Sequence, residues 1–304
     1  MSNTDLDNDN NDENRPPAFE IHRPVRQTIP LVFASPHSGA FYPPEFIAAS
    51  KLDPLHLRRS EDAFMDQIFA AASAYGAPMI AANYPRAFVD PNREPFELDP
   101  DMFSDPLPEH ANTASPRVAS GLGTVARVIA NGEDIYGDKL PYAEAERRIK
   151  TYYEPYHSAL EDLLAETQET FGAYLLVDCH SMPSIGGPMD NDPGRQRVDF
   201  VLGDGYGTSC NPAVTHHAEA TLKDMDFVVT RNNPYAGGFT TRHYGYPAQN
   251  RHTLQIEINR VLYMDERGIT PGPGFKILIA KVSQLIAALA QIEPVTLRSA
   301  IAAE

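Results

Sequence analysis

Cysteine is scarce in this chain, and long apolar runs are missing. Two cysteines in 304 residues cannot form a disulfide framework, so a reducing, cytoplasmic location is expected. The longest apolar stretch, residues 275–290, is interrupted by Lys276, Lys281 and Gln284, and a membrane span needs about 18 uninterrupted apolar residues. The amino terminus shows neither the basic nor the apolar region of a signal peptide. We therefore expect neither a membrane protein nor a secreted one.

Positive charge is also in short supply. The chain has 25 Lys and Arg residues against 41 Asp and Glu, a net charge of −16. No basic cluster of the kind that follows a phosphate backbone occurs, so nucleic acid and anionic membranes are poor partners for this surface. A small-molecule partner is the expectation that remains, and nothing in the sequence indicates an oligomeric state.

Two common catalytic motifs are missing as well. No Gly-x-Ser-x-Gly segment occurs, which disfavours an acyl-serine hydrolase. The one glycine-rich segment after an apolar run, Gly203–Gly207, lacks the lysine and the spacing of a phosphate-binding loop. We interpret it as a turn through which the backbone can approach another group closely.

Short apolar segments alternate with helical patterns along the rest of the chain. This alternation predicts an α/β fold in which a mostly parallel sheet is covered on both faces. We assign residues 1–16 to a disordered acidic tail and residues 17–304 to a single domain, with a long loop over 91–120. The predicted strands are 28–34, 78–82, 87–90, 174–178, 200–202, 227–230 and 253–258. The predicted helices begin at Ser60, which is a plausible N-cap, and span 142–170, 212–225 and 275–292.

Polar residues follow several of these strands. Ligands of open α/β sheets collect at the carboxyl ends of the strands, so these side chains are expected to converge. Two imidazoles and a carboxylate are a common ligand set of catalytic zinc. Each histidine taken alone is more often a hydrogen-bonded loop residue, and acids that open a helix can simply complement its dipole. The candidates are His37, Asp178, His180, Glu257, Asn259 and Arg260, with Glu61 and Asp62 at the start of the first predicted helix.

Other reactive side chains receive different interpretations. Cys179 and His180 are adjacent on an extended segment and point to opposite sides, so they cannot form a nucleophile–base pair, and Cys179 is assigned to the core. Three arginines in turn-like contexts suit the capture of a carboxylate, although pairing with Asp90 or another local acid is an equally good explanation. These arginines are Arg86, Arg93 and Arg242. Five further histidines are interpreted as structural: His56, His110, His157, His216 and His217.

A series of segments in order from about residue 30 to 266 resembles the N-formylglutamate amidohydrolase family. The most specific are YPRAFVDPNR (84–93) and LQIEINRVLYMDE (254–266), accompanied by five shorter matches. The shorter matches are PHSG (36–39), SEDAFMDQIF (60–69), LLVDCHSMPS (175–184), DFVLGD (199–204) and GGFTTRHYG (237–245). The resemblance implies the three-layer α/β/α fold of zinc carboxypeptidases. It also implies zinc-dependent cleavage of N-formyl-L-glutamate to formate and glutamate in histidine breakdown.

The resemblance also implies roles for individual residues. His37 and His180 would bind zinc, with a third ligand from Asp62 or its rival Glu61. Carboxypeptidase-type sites carry Glu three residues after the first histidine, and that position is Ala40 here. Glu257 would be the general base, and Asp178 would hydrogen-bond a ligating imidazole. The remaining assignments concern the substrate: Arg86 for the developing oxyanion, and Arg93, Arg242 and Asn250 for carboxylates.

Two alternatives stand beside this interpretation. A carboxypeptidase-like peptidase or deacylase acting on another small amide or ester would use the same zinc chemistry. A non-catalytic small-molecule-binding module would keep the scaffold alone, because fold does not fix function. The joint presence of His37, His180 and Glu257 argues against the second alternative, since a scaffold without activity has no physical need for all three.

Overall fold

The apolar segments form a seven-stranded mixed sheet in the computed structural model, which describes residues 15–298. The strands lie in the order β1-β3-β2-β4-β7-β5-β6. Four neighbouring pairs are parallel, and only β1/β3 and β5/β7 are antiparallel. The strands are β1 (Phe19–His22), β2 (Leu31–Ser35), β3 (Met79–Ala82), β4 (Tyr174–Met182), β5 (Phe200–Gly203), β6 (Val229–Arg231) and β7 (Arg251–Asn259), with a separate ribbon of β8 (Met264–Asp265) and β9 (Thr270–Pro271).

Helices cover both faces of this sheet, which confirms the predicted three-layer α/β/α architecture. Helix α6 packs its leucines on one face of the sheet, and α7 and α9 pack on the other. None of the helices within residues 15–298 is long and apolar enough to cross a lipid bilayer. The helices are α1 (Pro44–Ala49), α2 (Pro54–Arg58), α3 (Met65–Ile68), α4 (Pro116–Ala119), α5 (Tyr142–Arg148), α6 (Glu154–Phe171), α7 (Pro212–Asp224), α8 (Phe239–Tyr244) and α9 (Phe275–Leu289). Single 3₁₀ segments cover Ala70–Tyr75, Pro100–Met102, Pro247–Gln249, Arg260–Leu262 and Pro294–Leu297.

The two long central strands carry polar residues on one face only. Side chains alternate along a strand, so Val177 and Cys179 of β4 enter the core beneath α7 and α9 while Asp178 and His180 face the opposite layer. In β7, Ile256 likewise faces that core. The residues that alternate with these apolar side chains are thus delivered together to one side of the sheet, and the α/β pattern itself creates a polar site there.

Several local predictions were wrong. The helix expected from Ser60 begins only at Met65, because the Ser60 hydroxyl accepts a hydrogen bond from the distant Ala130 N–H (3.1 Å) rather than capping a helix. Residues 87–90 form turns in which Phe88 and Val89 donate to the Pro85 carbonyl, so no strand forms. The 91–120 loop contains α4 and a short 3₁₀ segment.

The amino-terminal region differs from the prediction in two respects. Most of the predicted tail, residues 1–14, lies outside the described residues. Arg15 and Pro16, which the prediction included in the tail, contact the domain: Arg15 pairs with Glu45 at 2.7 Å, and the Tyr84 hydroxyl donates to the Pro16 carbonyl at 3.0 Å. The edge strand β1 follows directly and was not predicted, because four half-buried residues give too weak a pattern.

Candidate active site

Three side chains from separate elements meet at the carboxyl ends of the central strands. His37 follows β2, and His180 lies near the end of β4. Asp62 lies in the irregular connection before α3, where its N–H donates to the His37 carbonyl at 3.0 Å. Its Oδ2 atom lies 3.2 Å from His37 Nδ1 and 2.9 Å from His180 Nδ1. All three residues are buried, and together they could hold a metal ion.

The surroundings of Asp62 show that its carboxylate, not that of Glu61, belongs to this centre. Asp62 Oδ1 accepts hydrogen bonds from Ser181 Oγ and from Arg260 Nη2, both at 3.1 Å, which leaves Oδ2 directed at the imidazoles. Glu61 is engaged elsewhere: Tyr42 donates to it at 2.7 Å and Arg58 binds it through two nitrogens. Asp62 and Glu61 are adjacent in the sequence, but Asp62 contacts the two histidines and Glu61 contacts Tyr42 and Arg58.

In both histidines, Nδ1 faces Asp62 and Nε2 lies near another carboxylate. His37 Nε2 donates to Asp90 Oδ1 at 2.7 Å, an arrangement typical of metal-ligating histidines. His180 Nε2 lies 3.0 Å from Asp178 Oδ1, without the alignment of a directed hydrogen bond, and 3.1 Å from the Asn92 amide. The donor types, their burial and these outer carboxylates fit a metal ion bound by His37, Asp62 and His180.

Electrostatics keeps the carboxyl groups of Asp62 and Asp90 ionised. Burial alone raises the pKa of Asp62, but the hydrogen bonds from His180 and His37 outweigh it, and the pKa lies well below its usual range. Asp90 is also buried, and the positive charges of Arg86 and Arg93 hold its pKa well below the usual value. Ionised oxygens are what a divalent cation requires.

Glu257 lies beside this centre without joining it. It occupies the position on β7 opposite His180 of β4, and its Oε1 accepts a hydrogen bond from Gln255 at 2.9 Å. Burial raises the pKa of Glu257 to about 7. A carboxylate with a pKa near neutrality can both accept and return a proton, as a general base must. Glu257 therefore has the position and the environment of a proton carrier.

A cavity of about 430 Å³ opens over these groups. Arg86 and Arg93 line it, and both contact Asp90, at 2.8 and 3.6 Å. Two other predicted substrate residues do not line it. Arg242 is exposed on α8, where its guanidinium donates to the Gly237 carbonyl at 3.3 Å. Asn250 directly precedes β7, so it lies at the amino end of the sheet, opposite the cavity.

The continuous helical stretch from α5 to α6 contacts the loop that carries Asp90, Asn92 and Arg93. Between α5 and α6 the chain continues as a π-helical segment, Ile149–Tyr153. Three side chains along this continuous helical stretch donate to carbonyls of the loop: Arg148 of α5 to Phe88 at 3.1 Å, Tyr153 to Arg93 at 2.7 Å, and His157 of α6 to Pro91 at 2.8 Å. Sequence periodicity predicted this helix but could not show that Arg148 points into the interior, where it packs over aromatic rings.

Asn92 and Asp90 were not nominated from the sequence. Asn92 lies in the predicted 91–120 loop, where no period marks a residue as functional, and Asp90 ended the segment 87–90 that was predicted as a strand. Asn92 also accepts a hydrogen bond from Thr240 N–H at 2.8 Å, so it joins this loop to α8. The signal that could have singled them out is the turn Asp90-Pro-Asn92 itself, in which Asn92 N–H donates to Asp90 Oδ1 at 2.8 Å.

Replacement of Cys179 by alanine tests whether the thiol next to His180 takes part in chemistry. The thiol is fully buried on the opposite face of β4, and burial raises its pKa well above the usual value, so it is an unreactive core residue. We expect turnover within a factor of about two of the wild type and a loss of about 1–2 kcal/mol in unfolding free energy. Steady-state kinetics and urea denaturation measure both; a turnover loss of about 100-fold would restore a catalytic role.

Several known proteins are similar to this chain over most of its length. A family model described as N-formylglutamate amidohydrolase matches residues 29–264. An N-formylglutamate deformylase of Pseudomonas aeruginosa is 30% identical over 245 residues, which are 80% of this chain and 85% of that protein. Its namesake from Pseudomonas putida is 28% identical over 242 residues. The crystal structure of an N-formylglutamate amidohydrolase from Ralstonia eutropha JMP134 superposes with a TM-score of 0.83 at 35% identity, covering 90% of this chain and 97% of that one.

Proposed function

Because this chain belongs to the N-formylglutamate amidohydrolase family, we propose that it hydrolyses N-formyl-L-glutamate, or a closely related N-acyl amino acid, to the free amino acid and formate or another carboxylate. One observation carries the proposal. The His37–Asp62–His180 centre, the buried Glu257 and a group of arginines share one cavity. A cleavable amide that carries carboxylates is the substrate that uses all three features.

Zinc is the ion we propose for this centre. His37, Asp62 and His180 supply three nitrogen and oxygen ligands, which is the number that a catalytic zinc site uses while one position stays open. When bound, the ion polarises the formyl carbonyl and lowers the pKa of water from 15.7 towards about 7. Arg260 and Ser181 hold the far oxygen of Asp62, so the ligand carboxylate is oriented before the ion arrives.

Glu257 moves the proton that hydrolysis requires. Water adds to the formyl carbon as its proton passes to the Glu257 carboxylate, and the same proton then goes to the nitrogen as the C–N bond breaks. Gln255 occupies only Oε1 of Glu257, which leaves Oε2 for this transfer. The amine must be protonated to leave at neutral pH, and a carboxyl group with a pKa of about 7 can deliver that proton.

Arg86 is the residue we propose to stabilise negative charge on the carbonyl oxygen. Of its nitrogens, Nη2 is fixed on Asp90 at 2.8 Å, and that contact aims the rest of the guanidinium into the cavity. A typical oxyanion donor contributes about 3–4 kcal/mol to transition-state stability. Arg93 is buried beside it and adds positive charge for the α-carboxylate of the substrate.

Metal removal tests the proposal. We expect purified protein to contain about one zinc per chain and to release formate from N-formyl-L-glutamate. Dialysis against a chelator should abolish this release, and one equivalent of zinc should restore it. Metal analysis combined with a formate assay across a panel of N-acyl amino acids and short peptides measures both quantities. Unchanged turnover in the metal-free protein, or cleavage of peptides but not of N-formyl amino acids, would overturn the proposed function.

A further inference from the structure

The arginines of the cavity divide into two groups by what their guanidinium groups already contact. Six arginines line the cavity: Arg58, Arg59, Arg86, Arg93, Arg117 and Arg260. Four of them are paired with acids of the protein. Arg58 binds Glu61, Arg86 and Arg93 contact Asp90, and Arg260 binds Asp62. These pairs fix where each of the four guanidinium groups lies in the cavity.

Arg59 and Arg117 are different. Among residues 15–298, neither guanidinium has an ion-pair or hydrogen-bond partner, and both residues are exposed at the cavity. Arg59 lies next to Arg58, whose guanidinium is paired with Glu61. Arg117 lies on the side of the cavity that the buried Arg93 lines, and its positive charge acts on Arg93. It is therefore the stronger candidate to receive an anion.

The backbone around Arg117 is firmly held although its side chain is exposed. Ser115 caps α4 by accepting from Val118 N–H at 3.0 Å, and the Val118 side chain is buried. The Arg117 carbonyl accepts from Leu122 N–H at 2.8 Å, and the Leu122 carbonyl accepts from Arg93 Nε at 2.7 Å. The backbone of Arg117 is thus connected to the buried Arg93 side chain through Leu122.

Arg86, Arg93 and Arg117 lie close enough at this side of the cavity for their charges to interact. Burial lowers the pKa of Arg93 to about 10, and the positive charges of Arg86 and Arg117 act in the same direction, while Asp90 and Glu97 oppose them. Asp90 is shared by Arg86 and Arg93, and Glu97 is hydrogen-bonded to Ser115, so neither carboxylate is paired with Arg117. A carboxylate of the ligand would supply that partner.

We propose that Arg117 binds the side-chain carboxylate of the substrate and sets the preference for an acidic amino acid. The inference rests on the proposed function and makes it specific: Arg86 and Arg93 serve the reacting end of the substrate, and Arg117 serves its distal end. A guanidinium without a partner in the described part of the chain gains a charge-assisted pair only when the ligand carries that carboxylate. A neutral side chain of the same shape gains nothing from it.

The test compares N-formyl-L-glutamate with N-formyl-L-glutamine, which has the same shape without the charge. In R117A we expect kcat/KM for the glutamate substrate to fall about 10- to 100-fold, mainly through KM, while the glutamine substrate changes by less than about threefold. R117K should recover part of the loss. Arg26, an exposed arginine outside the cavity, provides the matched control, and R26A should keep the wild-type preference.

A binding measurement on the zinc-loaded enzyme provides a second readout. Calorimetry should show weaker binding of L-glutamate to R117A, with binding of L-glutamine unchanged. Equal losses of kcat/KM for both substrates in R117A, or no loss for either, would overturn the role of Arg117. Turnover by the wild-type enzyme would still support the proposed function. A wild-type enzyme that cleaves neither substrate would overturn both.

Discussion

Replacement of His180 by alanine should remove the metal ion and lower deformylation by at least about 1,000-fold, because the several kcal/mol that a metal contributes to the transition state disappear with it. His180 is one of the three residues that we propose as ligands, and its Nδ1 lies 2.9 Å from Asp62 Oδ2. The same outcome is expected for His37→Ala. Metal analysis of the purified variants, together with formate release at saturating substrate, measures the effect.

A matched pair of carboxylate variants makes this prediction sharper. Asp62→Asn should lose stoichiometric zinc, because the amide that replaces Asp62 carries no charge between the two imidazoles. Glu61→Gln should keep zinc, since Glu61 faces Tyr42 and Arg58 instead. Circular dichroism establishes that the variants fold. Stoichiometric zinc in Asp62→Asn or His180→Ala, or its loss only in Glu61→Gln, would contradict the assignment of ligands.

The central part of the site was accessible from the sequence because it depends on regular structure. An apolar run that ends in polar residues predicts a buried strand, and parallel strands bring their carboxyl ends to one edge. His37, His180 and Glu257 follow from that rule. The structure refines it in one respect: β4 extends past the predicted strand 174–178, so His180 lies within β4, opposite Glu257 of β7 in the parallel register.

The choice between Asp62 and Glu61 depends on irregular backbone, and the sequence could not resolve it. Adjacent acids point to different sides, and the path from Ser60 to Phe64 decides which one meets the histidines. That path is set by distant contacts, such as Asp62 N–H with the His37 carbonyl. A local pattern predicted a helix here, and a helix would have placed both acids on its first turn.

The substrate-binding candidates show what residue type and local turn context cannot predict. Arg242 and Asn250 lie in turn-rich segments, as do Arg86 and Arg93, and residue type alone does not separate the four. Strand direction separates only Asn250, which precedes the predicted strand 253–258 and so belongs to the amino end of the sheet, away from the site. The proposed role of Arg117 could not be predicted from the sequence, because it depends on a guanidinium without a partner among residues 15–298, which only the fold reveals.

Replacement of Glu257 by glutamine should leave zinc bound and lower kcat by about 100- to 10,000-fold, the range that a positioned general base contributes. Glutamine keeps the shape of the side chain, and Gln255 can still donate to its oxygen, so the effect should lie in kcat with KM nearly unchanged. Metal content separates this role from ligation, since a proton carrier is dispensable for zinc and a ligand is not. Loss of zinc in Glu257→Gln would make Glu257 a ligand, and a kcat within tenfold of the wild type would assign the proton transfer to another group.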